Sequence, residues 1–202
     1  PISAEQGVAG REYRAVAILD AWNSLYRVGI DARVDTLTDW MRAVSLCAPR
    51  SRGGQALILG DADSTVAQSL MLWDTRLLAA KELEEREQTG MPPTVAAACV
   101  WGRRDAVMQA MRGIGVLGGD WAMCPTAVDE LPGMLGPVPM AQPSTMDARI
   151  LEETADRVKV VVRVPQARRG ELAERLRREV SRHVATRTPG ELRFRVDPKD
   201  LI

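Results

Sequence analysis

The 202-residue chain has a single histidine, His183, and three cysteines, Cys47, Cys99 and Cys124. No two cysteines form a CxxC pair, and an odd count does not make the disulfide framework of a small secreted fold. One histidine with scattered thiols is too poor a ligand set for a structural or catalytic zinc site. No apolar run reaches the roughly 18 residues needed to cross a bilayer, and no signal peptide opens the chain. The expectation is a cytoplasmic protein with reduced thiols, no bound metal and no membrane partner. Pro1 stands where a Met would, so the chain reads as part of something longer. Lysine is also scarce, with only Lys81, Lys159 and Lys199. None of the three follows a Gly-rich loop, so there is no phosphate-cradling P-loop, and GxSxG and HExxH are absent as well. Net charge is missing too: 27 basic residues balance 27 acidic ones. That excludes a chain that is basic throughout, but not one with a local basic face.

The charge is in fact unevenly spread. Residues 1–100 carry a net charge of −3, whereas residues 157–195 hold 12 basic residues against four acidic ones. Such asymmetry is the electrostatic footprint of a polyanion partner, or else a solvated Arg-rich surface.

Hydrophobic patterning predicts an α/β chain. Tyr13–Leu19 and Gln55–Leu59 read as short buried strands joined by a helix over Arg33–Cys47, a β-α-β unit with a parallel crossover. It is too small to stand alone, so residues 1–62 read as the edge of a larger α/β domain. Residues 63–93 form a helical connector over Ser64–Thr89 with a break near Asp74. Val66, Leu70, Trp73 and Leu77 make its apolar stripe. Gly90 and Pro92-Pro93 end it. Residues 94–202 form a last domain. Strands over Val95–Trp101, Arg157–Val164 and Glu191–Asp197 alternate with helices over Asp105–Arg112 and Arg168–Ala185. Residues 119–146, rich in Gly and Pro, read as a short strand and a long loop. This order is a ferredoxin-like split βαβ sandwich, one sheet with both helices on one face.

No complete active site is present. Gly113-Ile114-Gly115-Val116-Leu117-Gly118 matches GxGxxG, but a helix precedes it instead of a strand, so it reads as a helix-to-strand turn. His183 reads as a core-edge residue, and Glu82, Glu84, Glu85 and Glu87 as a solvated helix face. The basic stretch is more specific. Lys159, Arg163, Arg193 and Arg195 alternate against apolar strand residues and are expected on the open sheet face. Arg175, Arg178 and Arg182 are expected on the polar face of the last helix. Such faces hold phosphates by charge and by Arg forks, without reading sequence.

Three segments resemble the primosomal protein N′ family of replication restart helicases. They are the charged helix and Pro-Pro turn of Glu82–Pro93, the Leu135-Gly136-Pro137-Val138-Pro139 loop, and the closing Arg195-Val196-Asp197-Pro198. The resemblance implies the end of a RecA-like helicase lobe followed by a C-terminal domain that contacts DNA and partner proteins at stalled forks. Ser45–Arg52 resembles that family's arginine motif facing ATP, in degenerate form. Pro49 replaces the first arginine, Arg52 matches the second, and Arg50 lies between. Losing an arginine that stabilises a transferring phosphoryl group typically costs ~10³ in rate or more. The ATP-binding P-loop and the zinc-binding cysteines of the family lie upstream of such a segment, so neither ATP nor zinc is expected here. The resemblance thus implies a chain that is not catalytic by itself, with forked or single-stranded DNA and other primosome proteins as partners. It also implies docking of the acidic, aromatic-ended tail of single-stranded DNA-binding protein. Arg168 and Arg169 at the start of the last helix would meet its carboxylates, and Leu172 would supply an apolar wall. The rival readings are a fragment of an active ATP-dependent helicase, a nucleotide-binding fragment using Gly113–Gly118, and a purely structural interaction domain.

Overall fold

A computed structural model describes residues 12–140, residues 156–199 and Leu201. The chain divides into two compact units at Glu82/Leu83.

In the first unit, β1 (Ala15–Ile18) and β2 (Gln55–Ile58) pair in parallel, with α1 (Ala32–Val44) in the crossover between them. The core gathers Leu37 and Trp40 of α1 with Val66 and Leu70 of α2 (Ser64–Leu72) and Leu78 of α3 (Arg76–Thr89). Asp63 starts α2 by accepting the amide hydrogens of Thr65 and Val66 at 2.9 and 3.0 Å, the usual role of an aspartate N-cap. The expected break near Asp74 is present. Trp73 takes a left-handed φ of 54°, and Asp74 accepts from the Arg76 amide at 2.9 Å as the chain re-enters a helix. The break also corrects the expected stripe. It swings Trp73 and Leu77 into solvent and leaves Leu78 to fill the core. β1 and β2 are not buried strands either: Leu19, Leu57 and Leu59 are exposed. Two strands with one crossover helix cannot cover both faces of a sheet. Glu82 is not on a solvated face, because it is buried and accepts from Arg33 Nε at 2.6 Å.

The second unit is the split βαβ sandwich. Its strands are β3 (Val95–Arg103), β6 (Met134–Pro139), β7 (Arg157–Pro165) and β8 (Leu192–Val196). They lie in the order β6-β7-β3-β8 with every neighbour antiparallel. The helices α4 (Arg104–Gly113) and α5 (Arg169–Ala185) bury Val107, Met111, Leu172 and Leu176 in one core with Val158, Val160, Val162 and Val164. The four valines therefore face the helices, as their alternation predicts.

The Gly/Pro-rich stretch holds more strand than the sequence suggests. β4 (Met123–Pro125) and β5 (Glu130–Pro132) form a hairpin, and the Leu135–Pro139 motif is the sheet's edge strand β6. Proline belongs on an edge, where no ladder amide is needed. The pairing register slips between Leu135 and Val138, and Gly136 sits in the slip at φ +101°. A Cβ there would lie 3.1 Å from both the Lys159 carbonyl oxygen and the Val138 nitrogen, so the close approach of the two strands requires glycine. Residues 141–146 of the expected loop lie outside the described residues.

The Gly113–Gly118 segment is a turn leaving α4, with Ile114 and Val116 buried. Asp197 prolongs the ladder past β8. Its amide donates to the Ala97 carbonyl at 2.7 Å, and its carboxylate accepts the Ala97 amide at 3.2 Å and pairs with Arg169.

Candidate nucleic-acid interface

Odd-numbered residues of β3 point away from the helices. Part of this second face is covered: Val95, Ala97 and Cys99 are all buried, and the Cys99 thiol lies 3.5 Å from the Leu201 carbonyl oxygen. Burial pushes the Cys99 thiol up from its ordinary pKa, against the pull of Lys159.

The uncovered part begins one residue pair further along. Trp101 is flanked across the ladder by Lys159 on β7 and Arg193 on β8, and Arg195 stands opposite Cys99. Among the described residues neither Lys159 nor Arg195 has an ion-pair partner. Arg193 is 70% exposed and pairs with Glu191 at 2.8 Å. Glu191 also pairs with Arg157 at 2.5 Å. Exposed pairs of the Arg193 kind are worth about 1 kcal/mol at most, so a phosphate can replace the carboxylate at little cost.

Arg163 does not belong to this face. It is 5% exposed, and its guanidinium donates to three backbone carbonyls: Pro132 at 2.7 Å, Thr89 at 3.0 Å and Gly90 at 3.4 Å. Burial pulls its pKa below the ordinary arginine value. The arginine that alternation places outside is roofed by the end of α3 and by β5. No phosphate reaches it without displacing that roof.

Arg175 is likewise committed. It lies 3.9 Å from the centre of the Trp121 ring. It grips both carboxylate oxygens of Asp120 at 2.9 and 2.8 Å, and it also binds Glu171 and the Ile114 carbonyl. The Arg175 hydrogen bond holds the Asp120 carboxyl below its usual range. Arg178 is exposed and without an ion-pair partner among the described residues, and Arg182 pairs with the buried Glu179. Both sit on α5, across the sandwich from Lys159 and Arg195, so the two basic groups are separate surfaces.

The expected docking site at the start of α5 loses its apolar wall, because Leu172 is 0% exposed and belongs to the core. Arg169 pairs with Asp197 there, and Arg168 is exposed. In the first unit, Arg50 and Arg52 occupy one short exposed helical turn, and Arg52 pairs with Glu12 at 2.7 Å. A cleft of about 700 Å³ beside β1 is lined by Tyr13, Asp20, Arg27 and Trp40, not by those two arginines. His183 bonds the Gly190 carbonyl at 2.8 Å beside α5. No cluster of metal-ligating side chains occurs among the described residues.

Sequence alternation puts Lys159, Arg193 and Arg195 on the face where the strand pairing also has them, and it does not single out Trp101 between them. The parity that places Trp101 with the cations becomes visible only once the β3–β7 register is known.

The model of the primosomal protein N C-terminal domain family matches residues 87–199. Over 186 residues the chain is 32% identical to the probable replication restart protein PriA of Mycobacterium leprae (strain TN), covering 92% of the chain and 27% of that protein. Over 189 residues it is 29% identical to the protein of the same name from Mycobacterium tuberculosis (strain ATCC 25618 / H37Rv), covering 92% of the chain and 28% of that protein. The chain thus spans about a quarter of the length of the curated relatives it matches.

Proposed function

The chain belongs to the primosomal protein N C-terminal domain family, and we propose that it serves replication restart by binding the backbone of fork DNA on the open face of its β6-β7-β3-β8 sheet. The observation that supports this most is the placement of Lys159 and Arg195, outward and, among the described residues, without carboxylate partners, on an uncovered stretch of that face. Cations of this kind bind by releasing the counterions of the phosphates they replace, so affinity falls steeply with salt and sequence matters little. Arg193 joins them by giving up Glu191. Arg178 on α5 offers a second, separate contact.

The chain is not catalytic on this reading. Its counterpart to an ATP-facing arginine motif runs through Pro49, and Arg50 and Arg52 stand exposed on a surface turn. The role is to recognise and hold DNA, in company with other primosome proteins.

The test is fluorescence anisotropy of a labelled fork against the 202-residue chain, titrated at several salt concentrations. Replacing Lys159 and Arg195 together by alanine should flatten the slope of log affinity against log salt by roughly 1.5–2 units, for every sequence alike. An unchanged slope and affinity in that double variant would mean that the sheet face does not bind DNA.

A further inference from the structure

Part of the second face of the sheet is closed over, and the uncovered stretch has an aromatic residue between two cations. Trp101 pairs directly with Lys159 on one side and Arg193 on the other, and in antiparallel pairs such neighbours lie on the same face, about 5 Å apart at Cβ. The ring is excluded from the core on the helix side, which takes Ala98 and Val100 instead. Among the described residues a cation lies over an aromatic ring at Arg175 and Trp121 and not at Trp101, so the Trp101 ring is not occupied by the cations beside it. Trp121 makes the useful contrast: a tryptophan used for packing here is 2% exposed and carries a guanidinium on its face. Trp101 is only half-buried.

A flat aromatic surface between two cations matches single-stranded DNA, whose unpaired bases have exposed faces and whose phosphates run on either side of them. Duplex DNA does not match it, because its bases are already stacked on each other and present no free face to a sheet. We propose that Trp101 is a stacking platform for one unpaired base of single-stranded DNA, with Lys159 and Arg193 holding the phosphates that flank that base. This deepens the DNA-binding reading above and rests on it. Such a platform would let a sheet with few cations discriminate the unpaired parts of a fork from its arms.

Three probes separate the possibilities, all read by anisotropy with the full chain: a labelled oligothymidine, the same backbone with abasic sugars, and a blunt duplex. With the unaltered protein, the oligothymidine should bind about tenfold more tightly than the abasic strand. Trp101→Ala should remove that difference and leave duplex binding within twofold, while Trp101→Phe should keep most of it. Equal binding of oligothymidine and abasic strand by the unaltered protein overturns the stacking role without any variant being needed, so a folding defect in Trp101→Ala cannot hide the answer. If, in addition, the Lys159/Arg195 double variant still weakens both strands, the backbone reading survives and only the platform is lost. If the unaltered protein binds none of the three probes, both proposals fall together. A preference for the duplex over both strands also overturns the platform.

Discussion

Arg163 and Thr89 are 74 positions apart in the chain, yet the Nη1 of the first donates to the carbonyl of the second at 3.0 Å. The last carbonyls of a helix have no partner inside the helix. Here a guanidinium from near the end of β7 supplies one, reaching the Thr89 and Gly90 carbonyls at the end of α3 while its Nε donates to the carbonyl of Pro132. One buried side chain thus ties the end of α3 and the end of β5 to the sheet.

Replacing Arg163 by alanine should therefore cost stability. Three carbonyls lose their donor in a place that water does not readily reach, and each such loss is worth about 1–3 kcal/mol. A total of about 3 kcal/mol is expected, measured as a lower midpoint in urea with little change in slope. The salt dependence of DNA binding should stay as it is in the unaltered protein. A variant of unchanged stability that instead lost DNA affinity would show that Arg163 is a phosphate contact.

Gly90 is the companion to that contact. It sits at φ +58°, and a Cβ would fall 2.7 Å from Leu131 Cδ1 and 3.3 Å from Arg163 Nη1. Gly90→Ala should destabilise by about 2 kcal/mol, part from the left-handed backbone and part from the displaced neighbours. Thermal melting by circular dichroism measures this. An alanine variant as stable as the original would mean that the end of α3 has room to relax.

The Asp120–Arg175 pair carries a pH dependence with a definite sign. Arg175 holds the folded Asp120 carboxyl below its ordinary value of 3.8. A lowered folded value contributes stability above the unfolded value, and that contribution is lost as pH falls through the folded one. Asp120→Asn should accordingly melt below the unaltered protein at neutral pH. The gap should close as the pH is taken from about 4 downward. A gap that persists undiminished at pH 2 would mean that the pair acts through shape and not through charge.

The second unit is legible in sequence wherever a strand has one wet and one dry face. The four alternating valines of β7 and the apolar stripe of α5 mark their elements because burial falls on every second, or every third and fourth, residue. Two things escape this logic. Edge strand β6 is written in Gly and Pro, residues that signal a turn locally but are compatible with a strand that needs few ladder bonds. And the outer face of a sheet is not uniformly outer. Arg163 and Arg195 share the same alternation, but one end of the face is roofed by α3, β5 and Leu201, and the other is not. Only the three-dimensional path of the chain decides which cation is a structural clamp and which is free for a ligand. The same limit hides Arg175, whose place on the polar side of α5 gives no hint of Trp121 beneath it. In the first unit the break at Trp73 is legible as a position, but not in its effect on which leucine turns inward.

The contact of Cys99 with Leu201 makes that thiol a gauge of how firmly Leu201 is seated. Lifting of Leu201 should open the buried sulfur to a maleimide or disulfide reagent, so the labelling rate, corrected for the raised thiol pKa, should rise with it. An affinity tag fused after Ile202 would begin one residue beyond Leu201. Faster modification of Cys99 in such a fusion would expose the disturbance well before any change in melting temperature did.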